Sequence, residues 1–388
     1  MAGLKVLIAN ATLATLTGTE TYVRDLALGL LRKGHTPIVY APELGSIAEE
    51  LRRRTVPVVD DLNQVGTVPD VIHGNHNTEL ITALLHFETA PSVFYCHSWT
   101  DWISAPPSHP RILAYVAVDE TCRDRLVLEN AIPADRVHVR LHAADLERFT
   151  PREPLPERPA RALVFSNNAN HWTHLNAVRE ACERAGIKLD VIGAGANASA
   201  VNPESLLPNY DLVFAKARCA LEALAVGTAV ILCDAAGCGP MVTTAELDRL
   251  RRLNFGIRTL SQKVNAELLV REIRRYDPKD AAEVSRQIRS TADLGSVIDD
   301  AVVLYREVIE EFRGRSVSNQ SEENHAVADY LRWMTLATRQ KQAQHESMLA
   351  NSPTLRLRNQ IGQIPLLEKL VRPLARWARR NGRNGSVH

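Results

Sequence analysis

The stretch Pro208-Asn-Tyr-Asp-Leu-Val-Phe-Ala-Lys-Ala-Arg-Cys-Ala-Leu-Glu-Ala-Leu-Ala-Val-Gly-Thr-Ala-Val-Ile-Leu-Cys-Asp234 decides the fold. It reads as an apolar strand ending at Ala215, a short turn, a helix over Cys219–Val226 stopped by Gly227, and a second apolar strand over Ala229–Cys233. Continuous apolar strands joined through a helix belong to a parallel sheet covered on both faces. Upstream the pattern repeats, with strands at Ala162–Ser166 and Leu189–Ile192 around a helix at Leu175–Ala185.

A similar alternation fills the first 150 residues. Lys5–Asn10 is a strand, Ala11–Thr19 a small, Thr-rich loop, Glu20–Lys33 a helix ended by Gly34, and His35–Ala41 a strand. Short apolar runs follow at Val71-Ile72, Ser92–Cys96 and Tyr115–Val118. Between the two series lies Thr150-Pro-Arg-Glu-Pro-Leu-Pro-Glu-Arg-Pro159, whose four prolines exclude regular structure. The sequence therefore predicts an α/β protein of two Rossmann-like domains, 1–150 and 151–312, facing across a cleft. Ligands of such folds bind at the carboxyl edges of the strands. Residues 313–388 are expected to form a helical extension, with helices at Ala301–Phe312 and Asn324–Leu349 around a loop at Gly314–Glu323.

Composition narrows the function classes. At 388 residues and 45% hydrophobic content the chain is long enough for two cores and too apolar for general disorder. A net charge of +1 gives no whole-chain case for nucleic acid. The six cysteines show no metal-ligand spacing and read as buried free thiols. No secretory leader and no apolar run of about 20 residues is evident, so the expected compartment is the cytoplasm.

The start of the 219–226 helix offers free N–H groups and a positive dipole, which suits a diphosphate. Lys216 and Arg218 add two cations there, and Glu222 one turn on is placed to accept hydrogen bonds from vicinal ribose hydroxyls. The alternative is a solvated helix start with local ion pairing. His97 ends an apolar strand and opens His-Ser-Trp-Thr-Asp-Trp102, a polar-aromatic loop. It is either a satisfied core histidine or a site residue; Trp99 and Trp102 either stack on a ligand or pack the loop down.

These residues resemble the retaining glycosyltransferases of family 4, of GT-B architecture, over roughly residues 3–312. Glu222-Ala-Leu-Ala-Val-Gly-Thr-Ala-Val-Ile matches the family's apolar run after its second conserved glutamate. Tyr115-Val-Ala-Val-Asp119, Leu141-His-Ala-Ala-Asp-Leu-Glu-Arg-Phe149, Val191-Ile-Gly-Ala-Gly195 and Leu207-Pro-Asn-Tyr-Asp-Leu-Val-Phe214 match other strands and the hinge, in order. The resemblance implies a nucleotide-diphosphate sugar as co-substrate, no metal or other cofactor, and an acceptor that is a sugar, a lipid-linked group or a small molecule. It places Gly18 and Thr19 in the glycine loop near the donor phosphates and Gly193 at the nucleotide edge. His97 stands near the transferred sugar, and Glu222 on the ribose. The absence of an Asp-x-Asp motif agrees with a metal-free site, and the resemblance implies retaining transfer.

Two departures stand out. Phe214 occupies the place of the family's first glutamate, and Ser166-Asn-Asn-Ala-Asn-His171 replaces its diphosphate-gripping cations. Asn167 and Asn168 still supply amide donors, and Lys216 and Arg218 are candidates for the phosphate role. A nucleotide-sugar epimerase on the same fold and a non-catalytic sugar-binding relative remain as alternatives. An oxidoreductase is disfavoured: Gly193-Ala-Gly-Ala-Asn-Ala198 fits a dinucleotide fingerprint, but Pro203 and Pro208 interrupt the helix it needs.

From Pro353 onward the chain carries eight Lys/Arg against Glu368, with Leu, Ile, Val and Trp377 at three- and four-residue spacing. Two readings are open for 353–383: a peripheral contact with the inner, anionic membrane face, or docking on the enzyme's own surface or a sister subunit.

Overall fold

The structure, a computed structural model, describes residues 3–15, 18–193, 195, 202–315 and 320–351. In the first part of the chain the strands are β1 (Lys5–Ala9), β2 (Thr12–Leu13), β3 (Thr36–Tyr40), β4 (Glu43–Leu44), β5 (Val58–Val59), β6 (Val71–Gly74), β7 (Ser92–Cys96), β8 (Ile112–Ala117) and β9 (Val137–Val139). A seven-stranded parallel sheet runs β5-β3-β1-β6-β7-β8-β9, and β2 pairs separately with β4. Its helices are α1 (Gly18–Arg32), α2 (Ser46–Arg53), α3 (Asn77–His86) and α4 (Glu120–Asp124). Val23, Leu26, Ala27 and Leu30 of α1 recur at helical spacing and are buried on the sheet.

The second sheet contains β10 (Arg161–Phe165), β11 (Lys188–Ile192), β12 (Leu212–Ala215), β13 (Ala229–Asp234) and β14 (Gly237–Met241), in the order β11-β10-β12-β13-β14. Only its last pairing is antiparallel. Around it lie α5 (Leu175–Ala185), α6 (Pro203–Leu206), α7 (Ala217–Val226), α8 (Thr244–Arg252), α9 (Ala266–Ile273) and α10 (Pro278–Thr291). Along β12, Val213 and Ala215 face the core with α7, while Leu212 and Phe214 face the core with α5 and α9. Both faces are covered, which is why the strand reads as an unbroken apolar run.

The chain passes between the sheets twice, and the two passes touch. Ala144 N–H donates to the Ala292 carbonyl at 2.9 Å and Leu294 N–H to the Ala144 carbonyl at 3.1 Å. There α11 (Leu294–Gly314) begins, capped by the Asp293 carboxylate accepting from Ser296 N–H at 2.9 Å. It starts well before the expected Ala301 and lays Ile298, Ala301, Leu304, Tyr305 and Val308 against the first core. The chain forms two units, the first ending at Glu323 and the second beginning at Asn324; both sheets lie in the first. α12 (Gln320–Asn351) is one 32-residue helix that takes in Gln320–Glu323, expected as loop. Among the described residues no helix is long and apolar enough to cross a membrane. The basic stretch 353–383 lies outside the described residues.

Candidate active site

The carboxyl edge of the second sheet is organised by Asp234, the last residue of β13. Its carboxylate accepts from Ser166 Oγ at 2.9 Å, Asn168 Nδ2 at 3.2 Å and the Ala235 N–H at 2.8 Å, and pairs with Lys216 Nζ at 2.5 Å. Burial would raise this carboxyl, but Lys216 and the hydrogen bonds outweigh it and hold it below the usual range. Asn168 and Lys216 are thus drawn to one point, where β10 and β12 end. Asn167 is exposed beside them, its carbonyl accepting from Gly195 N–H at 2.9 Å. Gly193 allows this close approach: at φ +147° a Cβ there would lie 2.0 Å from the Ser166 carbonyl oxygen. Trp172 on the same loop is 86% exposed, an apolar face at the rim.

Lys216 precedes α7, and Ala217 takes a left-handed φ of +49° as its N–H donates to the Phe255 carbonyl at 2.8 Å. Strain of this kind in a non-glycine residue costs on the order of 1 kcal/mol and turns the backbone sharply into the helix. One residue later, Arg218 is half-buried and committed: Nε donates to Glu222 Oε1 at 2.8 Å and Nη2 to Asp25 of α1. Asp25 also accepts from Arg24, and Arg148 lies 4.0 Å away, itself bound to Glu204 at 2.9 Å. Burial pushes Glu222 up, Arg218 offsets part of that, and the carboxyl remains above the usual range. Asp25 ends below its usual range because Arg218 and Arg24 outweigh burial. Among the described residues none donates to Glu222 Oε2, although Glu222 as a residue is only 6% exposed.

On the first sheet's edge, His97 follows β7. Its Nε2 lies 2.8 Å from Asn75 Oδ1, the Tyr22 ring meets it edge-on at 4.7 Å, and His142 stacks within 12° of parallel at 5.9 Å. Burial, aided by His142, His76 and His73, pushes His97 well down, so the ring is neutral. Burial likewise takes His73 and His142 to about 3 and His76 to about 4. Gly18 and Thr19 open α1, whose next two turns bring Tyr22 to His97 and Asp25 to Arg218. The His97 cluster and the Arg218–Glu222 pair are therefore neighbours, and Arg218 acts on His142 electrostatically. Trp99 packs under Arg258, whose guanidinium carbon is 4.8 Å from the ring centroid, and the Trp102 carbonyl accepts from Asn77 at 2.7 Å. The two tryptophans thus tie down their loop.

Phe214 is fully buried in the core with α5 and α9, so no polar group replaces the expected glutamate there. Among the described residues no group of three or more His, Cys, Asp or Glu side chains could hold a metal ion. Sequence reasoning missed Asp25, His73, Asn75, His76 and His142, and gave Asp234 no role. The one usable signal was position, since His73, Asn75 and Asp234 all stand at the carboxyl ends of strands.

Residues 16–148 match the profile of Glycosyltransferase Family 4. No curated protein matches the chain in sequence. Among solved structures, a glycosyltransferase from Rickettsia africae is 14% identical with a TM-score of 0.58, covering 79% of this chain and 99% of its own. HepE from Anabaena, solved with UDP, is 12% identical with a TM-score of 0.60, covering 79% and 100%. A sucrose-phosphate synthase from Thermosynechococcus elongatus is 12% identical with a TM-score of 0.53, covering 80% and 100%. The structural likenesses show the GT-B fold, and the profile match is confined to residues 16–148. By fold the chain is of GT-B architecture, and its first part is similar to Glycosyltransferase Family 4.

Proposed function

We propose that the protein moves a sugar from a nucleotide-diphosphate sugar to a hydroxyl acceptor, with retention and without a metal, in the biosynthesis of a glycan, glycolipid or glycosylated metabolite. The observation that carries this reading is the open Oε2 of Glu222, on the helix that Lys216 caps and beside the His97 cluster. In this reading 1–150 is the acceptor domain and 151–312 the donor domain, with the touching passes at Ala144 and Ala292 as hinge. Glu222 takes the ribose hydroxyls and Lys216 the diphosphate, with Gly18, Thr19, Asn167, Asn168 and Gly193 lining the nucleotide. Arg218 holds Glu222 and α1 in place and adds positive charge nearby.

The bond from the anomeric carbon to the diphosphate oxygen breaks, and its electron pair leaves on the diphosphate. The acceptor oxygen bonds the same carbon, and its proton passes to the departing diphosphate oxygen. Lys216 and the N–H groups opening α7 stabilise the departing charge, the demand that dominates such a step. HepE has been solved with UDP-glucose, which supports a nucleotide-sugar donor of that kind. Release of nucleoside diphosphate from a panel of nucleotide sugars tests the reading, and no release from any of them would reject it.

The buried Phe214 favours a second reading, a relative that binds a nucleotide sugar without transferring it. Binding without release, at every acceptor offered, would select it. The acceptor proposal includes lipid-linked groups, because the basic stretch 353–383 has the composition of a peripheral contact with the inner membrane face from the cytoplasm.

A further inference from the structure

The His97 ring is held by a network that sequence motifs do not reveal. Asn75, just past β6, donates from Nδ2 to the Ala9 carbonyl at 3.3 Å. A carbonyl oxygen only accepts, so this contact fixes which way the amide faces: Oδ1 must point at the two imidazoles. It lies 2.8 Å from His97 Nε2 and 3.2 Å from His73 Nε2. An amide oxygen has two lone pairs and no proton, so each ring must present an N–H at Nε2. His73 Nδ1 in turn lies 2.6 Å from the Tyr305 hydroxyl of α11, which donates to it. His73 is buried completely and has both nitrogens used. His97 is only half-buried, and its Nδ1 makes no hydrogen bond with any described residue.

We propose that Asn75 is a positioning residue, which fixes His97 as the Nε2–H tautomer and leaves Nδ1 as a hydrogen-bond acceptor for a sugar hydroxyl. The proposal rests on the reading of His97 as a site residue and adds how that ring is set. The surroundings support a hydroxyl and not an anion as the ligand. The groups around His97 are Tyr22 from α1, His73 and Tyr95 from the sheet, His76 before α3 and His142 from the hinge segment. None of them is a lysine, arginine or carboxylate. The rings acting on His97 are kept neutral by burial, so the pocket offers an acceptor lone pair without net charge. His76 is set similarly, its Nδ1 accepting from Ala11 N–H at 2.9 Å.

The test is histidine NMR on full-length protein labelled with ¹⁵N at the imidazoles, with His97→Gln used to assign the His97 signals. The native protein should show His97 neutral and protonated at Nε2 from pH 5.5 to 8. An Nδ1–H tautomer, or a cationic ring at pH 6.5, would overturn the proposal. In Asn75→Asp a carboxylate replaces the accepting amide, so the His97 midpoint should rise by about 2 pH units. An unchanged midpoint in a folded Asn75→Asp protein would equally overturn it. Should that variant not fold, the native tautomer decides alone. Adding UDP-glucose, with UDP as control, separates the two levels of the argument. A shift of the Nδ1 signal with the sugar nucleotide alone supports both. The expected tautomer with no such shift, together with full turnover in His97→Gln, leaves Asn75 as assigned and rejects His97 as a site residue.

Discussion

Acidification from pH 7.5 to 5.0 should destabilise this protein through its buried neutral histidines. His73, His76 and His109 are at most 4% exposed, and burial holds them at about 3, 4 and 4. In the unfolded chain each takes a proton near pH 6.5, while the folded ring stays neutral until far lower. Between those values the unfolded state binds more protons, so stability is full above about pH 6.5 and falls as pH drops. The slope is about 1.4 kcal/mol per pH unit per ring, so each histidine removes about 2 kcal/mol by pH 5.0 and the three together about 6. Glu20, Glu79, Asp119 and Glu222 work in the opposite direction, because burial raises their carboxyls and the folded state gains protons first. A difference between proteins isolates one ring. The neighbours of His109 are Arg111 and Glu323, and its Nδ1 accepts from Arg111 N–H at 3.2 Å, a contact that His109→Asn preserves with its amide oxygen. Urea unfolding of both proteins at pH 7.5 and 5.0 should show the variant losing about 2 kcal/mol less over that interval. Equal losses would refute the assignment of His109 as a buried neutral base. Any cavity cost appears at both pH values and cancels.

Arg111 should be the most sensitive position in the first unit. All its donors are used, on Glu323 at 3.0 Å twice and on the carbonyls of Leu84, Phe87 and Ala90 at 2.6, 2.6 and 3.1 Å. Arg111→Lys keeps the charge but not the fork, and should cost about 3–5 kcal/mol in thermal or chemical unfolding. The basic stretch is tested by sedimentation with anionic vesicles, comparing the full chain with one ending at Asn351. Full-length protein should pellet at low salt and release steeply as salt rises, whereas equal, negligible pelleting would leave 353–383 as a packing element.

Most of the fold was legible because buried parallel strands and amphipathic helices leave strong, local patterns. Leu175–Ala185 and Leu212–Ala215 have the bounds their apolar spacing indicates, and Gly227 ends α7 at φ +99° as a helix stop should. β14 was not legible: Gly237-Cys-Gly-Pro-Met241 has the composition of a loop. It pairs with β13 at the sheet's edge, where a proline is tolerated. Site residues carried by a local motif, such as Glu222 and His97, could be named from the sequence as candidates. Asp25 could not, because within α1 it reads as one more polar position and its partner Arg218 is 193 residues away. Asn75 and Tyr305 were hidden for the same reason, since the network joining them to His97 exists only once three elements have packed.

The central claim is that a nucleotide-sugar donor binds on the second sheet's edge with Glu222 on its ribose. Calorimetric titration of the native protein and Glu222→Gln with UDP, GDP and ADP tests it most directly. The account predicts that at least one of these binds the native protein, and that the substitution weakens it by about 1–3 kcal/mol, roughly 5- to 150-fold. Binding of none of the three, or unchanged affinity in Glu222→Gln, would contradict it.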